Sequence, residues 1–461
     1  MEKIFENGMN GKKFAGFVTP SVIMLIFMAM YYVVDAIFVA NFVGPKALAA
    51  MNIIYPICGI GWGISVMLAA GSSAIVAIKM GEGKKQEAKE KFSLICIVSI
   101  VLGLIFVTLG LTFTTELVSI LGSTPGLHDY CVDYIWVILL GVPGVFLGVL
   151  LEYFIRVDGR AGFTLFLYVL GGIVNIVLDY VFIVELNFGI AGAAWATIAG
   201  QYAVMIVGIG YFVTQKTNLK FVLPKWDFKY IWSSMLNGSS EMVSESSVAI
   251  TLILFNYITL RIAGETGLTA LSVVMEAQYL LVSLHLGFIT GVSPLISYFY
   301  GAKNYTIVNK CLGYCERFIW VASLGMTVLA VVGAPWIASI FIDAGTAAHD
   351  MAVTGVRFLS VACLFTGLNV FASGFFTAYA NGVISAMISL SRGLIVVIIG
   401  AIILPLLFGL NGVWMVPAFA EIVTFALSIY MIRKYKKKYH YKFFAKNKYH
   451  YKFFAKNKAL Q

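Results

Sequence analysis

Two aspartates, Asp35 and Asp179, stand inside stretches of chain that are otherwise apolar. Asn175 precedes Asp179 by one helical turn, so the two share a face if that stretch is helical. Thr197 lies in the next apolar stretch. Two carboxylates, an amide and a hydroxyl offer oxygen ligands only. Such a set suits a proton or a small hard cation, and a Na⁺ ion at Asp35, Asn175, Asp179 and Thr197 is one expectation. More charges follow: Glu241 and Glu245, one turn apart, then Glu276, Arg392 and Glu421, with His285 among them. Ionisable groups inside a membrane are costly and mark function by default. The plainer reading is that each polar residue only ties helices together by a hydrogen bond. It serves for Asn175 or Thr197 alone, and poorly for two aspartates with no cation at their depth. For the later group two readings stand level: satisfied pairs, such as Arg392 with a glutamate, or a cavity that attracts cations.

These residues need a membrane around them. The chain is 60% hydrophobic and 12% charged, with a mean hydropathy of +0.91, whereas a soluble domain carries about 25% charged residues. Apolar runs of about 20 residues, each long enough to cross a bilayer, recur along its length. The expected fold is an all-α polytopic membrane protein of twelve transmembrane helices. The first six are placed near 15–42, 47–78, 92–115, 131–154, 162–186 and 190–213. The second six are placed near 234–262, 268–299, 314–342, 353–378, 383–408 and 411–432. Asp35, Asp179 and Thr197 then each lie seven residues from a helix end on the same side, roughly 10 Å under that interface. Pro20 falls in the first helix, where it frees a carbonyl and permits a bend, as a hinge or a plain kink.

The basic residues sort by loop. Lys3, Lys12, Lys13, the lysines after helix 2, Arg156 and Arg160 after helix 4, the lysines after helix 6, and Lys303 and Lys310 fall on one side. Lys46, Arg261 and several acids fall on the other. Basic loops stay in the cytoplasm, so both termini are expected there, with the chain multi-pass in the cell (inner) membrane. The net charge of +10 does not indicate a nucleic-acid partner, because eleven of 32 basic residues lie in the tail after Tyr430. Such a tail suits anionic lipid. It repeats the decapeptide YHYKFFAKNK in tandem, to which no role is assigned. No removable signal peptide is evident. Six cysteines and five histidines show no metal-ligand spacing and read as structural. No catalytic nucleophile is evident, so the chain does not read as an enzyme.

The chain also echoes itself at an offset of 220 residues. Gly44 aligns with Gly264, Gly71 and Gly81 with Gly291 and Gly301, and Phe188-Gly189 with Phe408-Gly409. Duplicated units of six helices enter the membrane from the same side and relate by a pseudo-twofold axis along its normal. The expected units are an N-terminal lobe 1–213, a cytoplasmic linker 214–233, a C-terminal lobe 234–432 and a basic tail 433–461. Phe255 and Ile399 stand where Asp35 and Asp179 would recur, so the coupling site is expected in one lobe only.

Twelve spans in two lobes, Pro20 and Asp35 in helix 1, the Asn175–Asp179 spacing in helix 5, Thr197 in helix 6 and the Gly71…Gly81 entry to the loop after helix 2 together resemble the multidrug and toxic compound extrusion (MATE) family, bacterial multidrug type. The resemblance implies antiport of organic cations or amphiphiles against inward H⁺ or Na⁺, by a monomer with no cofactor beyond the coupling ion. It also implies an N-lobe ion site of Asp35, Asn175, Asp179 and Thr197. Glu245 matches a glutamate that some members carry in helix 7. Residues 353–378 hold none of the acid that some members have in helix 10, and Asn369 is the nearest polar substitute. The alternatives are a lipid-linked precursor flippase of the same superfamily and a major-facilitator transporter; the loop Met80-Gly-Glu-Gly-Lys-Lys-Gln86 does not fit the latter's motif.

The topology is tested by thiol labelling from outside the cell, in a background lacking the native cysteines. Cysteine at position 343 is expected to label and cysteine at position 220 is not. Labelling of both would sink this orientation.

Overall fold

The computed structural model describes Phe5 and residues 8–443. Lys3 and most of the duplicated tail lie outside the described residues. Among the described residues, eleven helices are long and apolar enough to cross a membrane. One of these, Phe228–Gly301, runs 74 residues and breaks at Gly264, whose φ of 62° and ψ of −157° are not helical. Counted as two, it brings the spans to twelve. They are α1 (Gly11–Phe38), α2 (Pro45–Gly81), α3 (Lys85–Thr112), α4 (His128–Val157), α5 (Ala161–Asp179), α6 (Gly189–Thr214), α7 (228–263), α8 (265–301), α9 (Tyr305–Phe341), α10 (Ala347–Ala378), α11 (Gly382–Phe408) and α12 (Leu410–Tyr435). No strand occurs among the described residues.

Large apolar side chains such as Leu406, Ile340, Val321 and Trp336 point outward and are exposed. In water such a surface would aggregate; in a bilayer it is the required one. The protein is a multi-pass membrane protein.

Three helices depart from regular α geometry. A π-helical turn, Val39–Val43, prolongs α1 just past Asp35. Another, Tyr180–Glu185, begins directly after Asp179. A third, Ser391–Ile395, interrupts α11 and contains Arg392. An extra residue per turn re-aims neighbouring side chains, which is why such bulges gather at functional sites. Pro20 lies within α1, and the helix continues on both sides of it.

Several expectations are corrected. α3 begins at Lys85 rather than near 92, α9 at Tyr305 rather than near 314 and α10 at Ala347 rather than near 353, because each helix runs on into polar and charged residues beyond its apolar stretch. α7 begins at Phe228 rather than near 234, because the Asp227 side chain accepts the Tyr230 N–H at 2.9 Å and caps the helix. The Lys91 ammonium, 2.9 Å from the same carboxylate, holds its pKa below the usual range. The connection before α7 is strapped to the first half: Asn218 N donates to Asp158 Oδ1 at 2.8 Å and Val222 N to Ser93 Oγ at 2.9 Å. Arg156, expected in a loop, lies inside α4 with no exposed surface and forms an ion pair with Glu152. A guanidinium neutralised within the fold carries no topological signal, so Arg156 leaves the count of loop charges.

The two halves meet where helix backbones touch. A Cβ on Gly81 would run into the Tyr298 carbonyl, and one on Gly301 into the Ile78 carbonyl. Ile78 and Tyr298 are 220 residues apart, as are Gly81 and Gly301. A Cβ on Gly71 would meet Ser234 and Gly238 of α7, while its partner at the same offset, Gly291, packs on Val18 and Ser21 of α1. Small residues let membrane helices approach this closely. Asn237 crosses the seam, donating to Gly71 O at 3.2 Å and to Thr377 O at 3.0 Å. The seam lies at the end that carries the basic loops, beside Lys79 and Lys84.

Gly81→Val places a branched side chain against fixed backbone. Overpacking a core costs about 1–3 kcal/mol where side chains can shift, and backbone yields less. Thermal unfolding in detergent should show a clear loss for Gly81→Val and none for Gly16→Ala, whose Cβ meets nothing within 4 Å. Equal behaviour would mean that the seam does not hold the halves.

Candidate functional site

In the first half, α1, α5 and α6 bring four predicted residues into one buried place. Asp35 is 7% exposed, Asn175 1% and Asp179 0%. The two carboxyl groups lie side by side, within hydrogen-bonding reach of each other. Asn175 Nδ2 donates to Thr197 Oγ1 at 3.4 Å, which joins α5 to α6. The oxygens are left wanting. Asp35 Oδ1, Asn175 Oδ1 and both carboxylate oxygens of Asp179 are buried with no hydrogen-bond partner among the described residues. A buried oxygen in that state is expensive unless a proton or a cation reaches it. Two neighbouring carboxylates repel, so the pocket is built to take up positive charge. Among the described residues no three His, Cys, Asp or Glu side chains form a metal cluster. The donor set fits a proton or an alkali ion better than a transition metal, because it holds only oxygens.

A second place lies between the halves. Glu245 of α7 packs against α2 at Gly63, where an added Cβ would be 3.3 Å from the Glu245 Cβ. Glu241 is one turn away on α7, near enough for its charge to act on Tyr153 of α4. Glu276 of α8 shares its surroundings with Tyr55 of α2 and with Tyr279. None of Glu241, Glu245 and Glu276 forms an ion pair among the described residues. Unpaired carboxylates with tyrosines in their surroundings suit an organic cation.

The remaining predicted residues meet inside the second half. Arg392 Nε donates to Glu421 Oε1 at 2.7 Å. Asn369 Nδ2 donates to Glu421 Oε2 at 2.6 Å, and Ser428 Oγ donates to Asn369 Oδ1 at 2.8 Å. Of the two readings left open for these charges, a satisfied pair describes Arg392 with Glu421, and unpaired acids describe Glu241, Glu245 and Glu276. Pro20 is in none of these groups. It precedes Ser21 and Val22, which pack on Gly287 of α8.

The profile of the MatE family matches residues 20–181 and 226–403, well over half of the chain. The chain belongs to the MatE family. A related protein is "Multidrug export protein MepA" of Staphylococcus aureus (strain NCTC 8325 / PS 47), 21% identical over 441 residues that span 93% of this chain and 95% of that one. Among solved structures, "Crystal structure of MATE in complex with MaL6" superimposes with a TM-score of 0.89 at 21% identity, over 95% of this chain and 98% of that one. A second, described as the "Outward-facing conformation of a multidrug resistance MATE family transporter of the MOP superfamily", gives a TM-score of 0.88 at 22% identity and the same coverage. The MatE fold is thus shared along nearly the whole chain.

The MatE sequence hid several residues that border these sites. Tyr31, buried beside Asp35 and Asp179, hydrogen-bonds Gln201. Tyr31 is one turn before Asp35, so helical spacing was a usable signal. Glu152, Arg156 and Tyr168 form a further cluster: the Tyr168 hydroxyl donates to Glu152 Oε2 at 2.8 Å, and the guanidinium lies 4.3 Å from the Tyr153 ring centre.

Glu152→Ala would leave the Arg156 guanidinium buried and uncompensated, a loss of about 3–5 kcal/mol. The double substitution Glu152→Leu with Arg156→Met should recover most of it. Thermal unfolding of purified protein decides. Equal destabilisation by the single and double changes would show that volume, not charge, governs the site.

Proposed function

We propose that this MatE protein exports organic cations or other amphiphiles across the cell membrane by alternating access, in exchange for H⁺ or Na⁺ entering at Asp35, Asn175, Asp179 and Thr197. The observation that carries the reading is the set of four buried oxygens without a donor on Asp35, Asn175 and Asp179. An ion that enters there satisfies them and draws α1 against α5 and α6. The acids Glu241, Glu245 and Glu276 between the halves are the proposed cation-attracting surface. The relatives described as multidrug export proteins support the substrate class. With both termini cytoplasmic, the glycine seam closes the cytoplasmic end, which supports an outward-facing reading of this state. The tail and linker then face the cytoplasm, and the chain works as a monomer.

Protonation and Na⁺ compete, since a proton removes the charge that Na⁺ needs. Na⁺ affinity of purified protein should therefore rise with pH in the wild type and fall sharply in Asp179→Asn. Asp35→Asn and Asp179→Asn should each abolish export from loaded proteoliposomes while the protein stays folded. Affinity that ignores both pH and the substitution would place the cation elsewhere. Normal efflux by either variant at matched expression would remove its carboxylate from the mechanism.

A further inference from the structure

The chain does not run straight on from α12. It turns back after Tyr435, with His440 at φ 54°, a left-handed conformation that histidine adopts more readily than most residues. Tyr439, Tyr441 and Phe443 are then buried, at 5%, 1% and 4% exposure. These three rings keep step with α10. Tyr439 meets Tyr379, at the end of α10, with ring centres 4.7 Å apart. Tyr441 meets Phe375 at 5.0 Å, and Phe443 stacks on Phe371 at 5.4 Å. Two residues of tail thus match four residues of helix, twice in succession. Four helical residues rise about 6 Å and two extended residues about 6.6 Å, so the register fits.

Polar bonds fix that register. Asn381 Nδ2, at the start of α11, donates to the Tyr439 hydroxyl at 2.8 Å. The Tyr441 hydroxyl donates to the Ile432 carbonyl of α12. Lys442 N donates to Asn309 Oδ1 of α9 at 2.7 Å, and the His440 ring lies 5.0 Å from that of Tyr305 on the same helix. The tail therefore fills a cleft between α9 and α10, with alternate residues turned to each. The cleft stands behind the seam between the halves. Tyr300, next to Gly301, touches both Tyr379 and Tyr439, and Thr377 of α10 accepts from Asn237.

The residues that make these contacts, Tyr439 to Phe443, open the decapeptide YHYKFFAKNK. They recur in the same order as Tyr449, His450, Tyr451, Lys452 and Phe453. The cleft reads alternate aromatic rings, two tyrosine hydroxyls and a main-chain N–H. Every one of these groups is present in both copies. From Tyr435 the connection is four residues to the first copy and fourteen to the second. The entropic weight of closing a loop falls as the three-halves power of its length, so the first copy is favoured roughly sevenfold. That preference is small enough for the second copy to take over when the first is lost.

We infer that the cleft between α9 and α10 is a docking site for the Tyr-His-Tyr-Lys-Phe motif, and that the two copies in one chain exchange in it.

The test is cross-linking in full-length protein, in a background lacking the native cysteines, with a short bis-maleimide. Tyr305→Cys with His440→Cys should link readily, and Tyr305→Cys with His450→Cys weakly. Adding Tyr441→Ala and Phe443→Ala should nearly abolish the first link and raise the second several-fold. Adding Tyr451→Ala and Phe453→Ala as well should remove the second. If the paired changes do not fold, Phe443→Ala alone should shift the ratio of the two links in the same direction. A link at position 450 that does not rise when the first copy is disabled, or that survives loss of the aromatics in both copies, overturns the exchange. A link between two chains, seen as a dimer on a denaturing gel, also overturns it and assigns the cleft to a neighbour's tail.

Discussion

A carboxylate oxygen sealed among packed helices cannot stay bare. It must gain a proton, a cation or a donor, or the helices must let water in. The two halves of this transporter meet that constraint differently. In the second, Glu421 receives a guanidinium and an amide from its own lobe, so the charge is balanced from within. In the first, Asp35 Oδ1 and both oxygens of Asp179 are buried without a hydrogen-bond partner among the described residues. One duplicated scaffold thereby holds a neutralised pair at Glu421 in one lobe and bare carboxylate oxygens at Asp35 and Asp179 in the other.

What joins the lobes is nearly the opposite in character. The seam of Gly71, Gly81, Gly238 and Gly301 is backbone on backbone, with few side chains to rearrange. Contacts of this kind are dispersive and short in range, so they are lost together once the helices part. The pairing of Ile78 with Tyr298 across the offset makes the seam pseudo-symmetric, and neither lobe closes it alone.

The sequence made the first-half site legible because lone acids in apolar runs have few explanations. The depth of Asp35, Asp179 and Thr197 followed from counting along helices, and Asn175 from one turn of spacing. Other features resisted for physical reasons. The partner of Arg392 was ambiguous because several glutamates lie in spans, and the π turn around Arg392 breaks the 3.6-residue periodicity that would have sorted them. Arg156 reads as a loop cation because it stands close to the end of α4, and its partner Glu152 lies one turn earlier, inside the apolar run. The start of α7 was misplaced because its cap, Asp227, sits in a lysine-rich segment that reads as linker. The glycines of the duplicated pattern were visible, but only the crossing of α2 with α7 and α8 shows why no side chain fits there.

α1 and α2 are joined through Gly44 alone, between Val43 and Pro45, and α7 and α8 through Gly264 alone. Gly44 has φ 111° and Gly264 φ 62°, conformations that glycine adopts freely. One residue spans about 3.8 Å, less than a single turn of helix. The members of each pair therefore cannot slide along one another like pistons. They can only swing about the glycine, like the arms of a pair of tongs, so a small change of angle at that pivot becomes a large displacement at the far tips, where the seam lies.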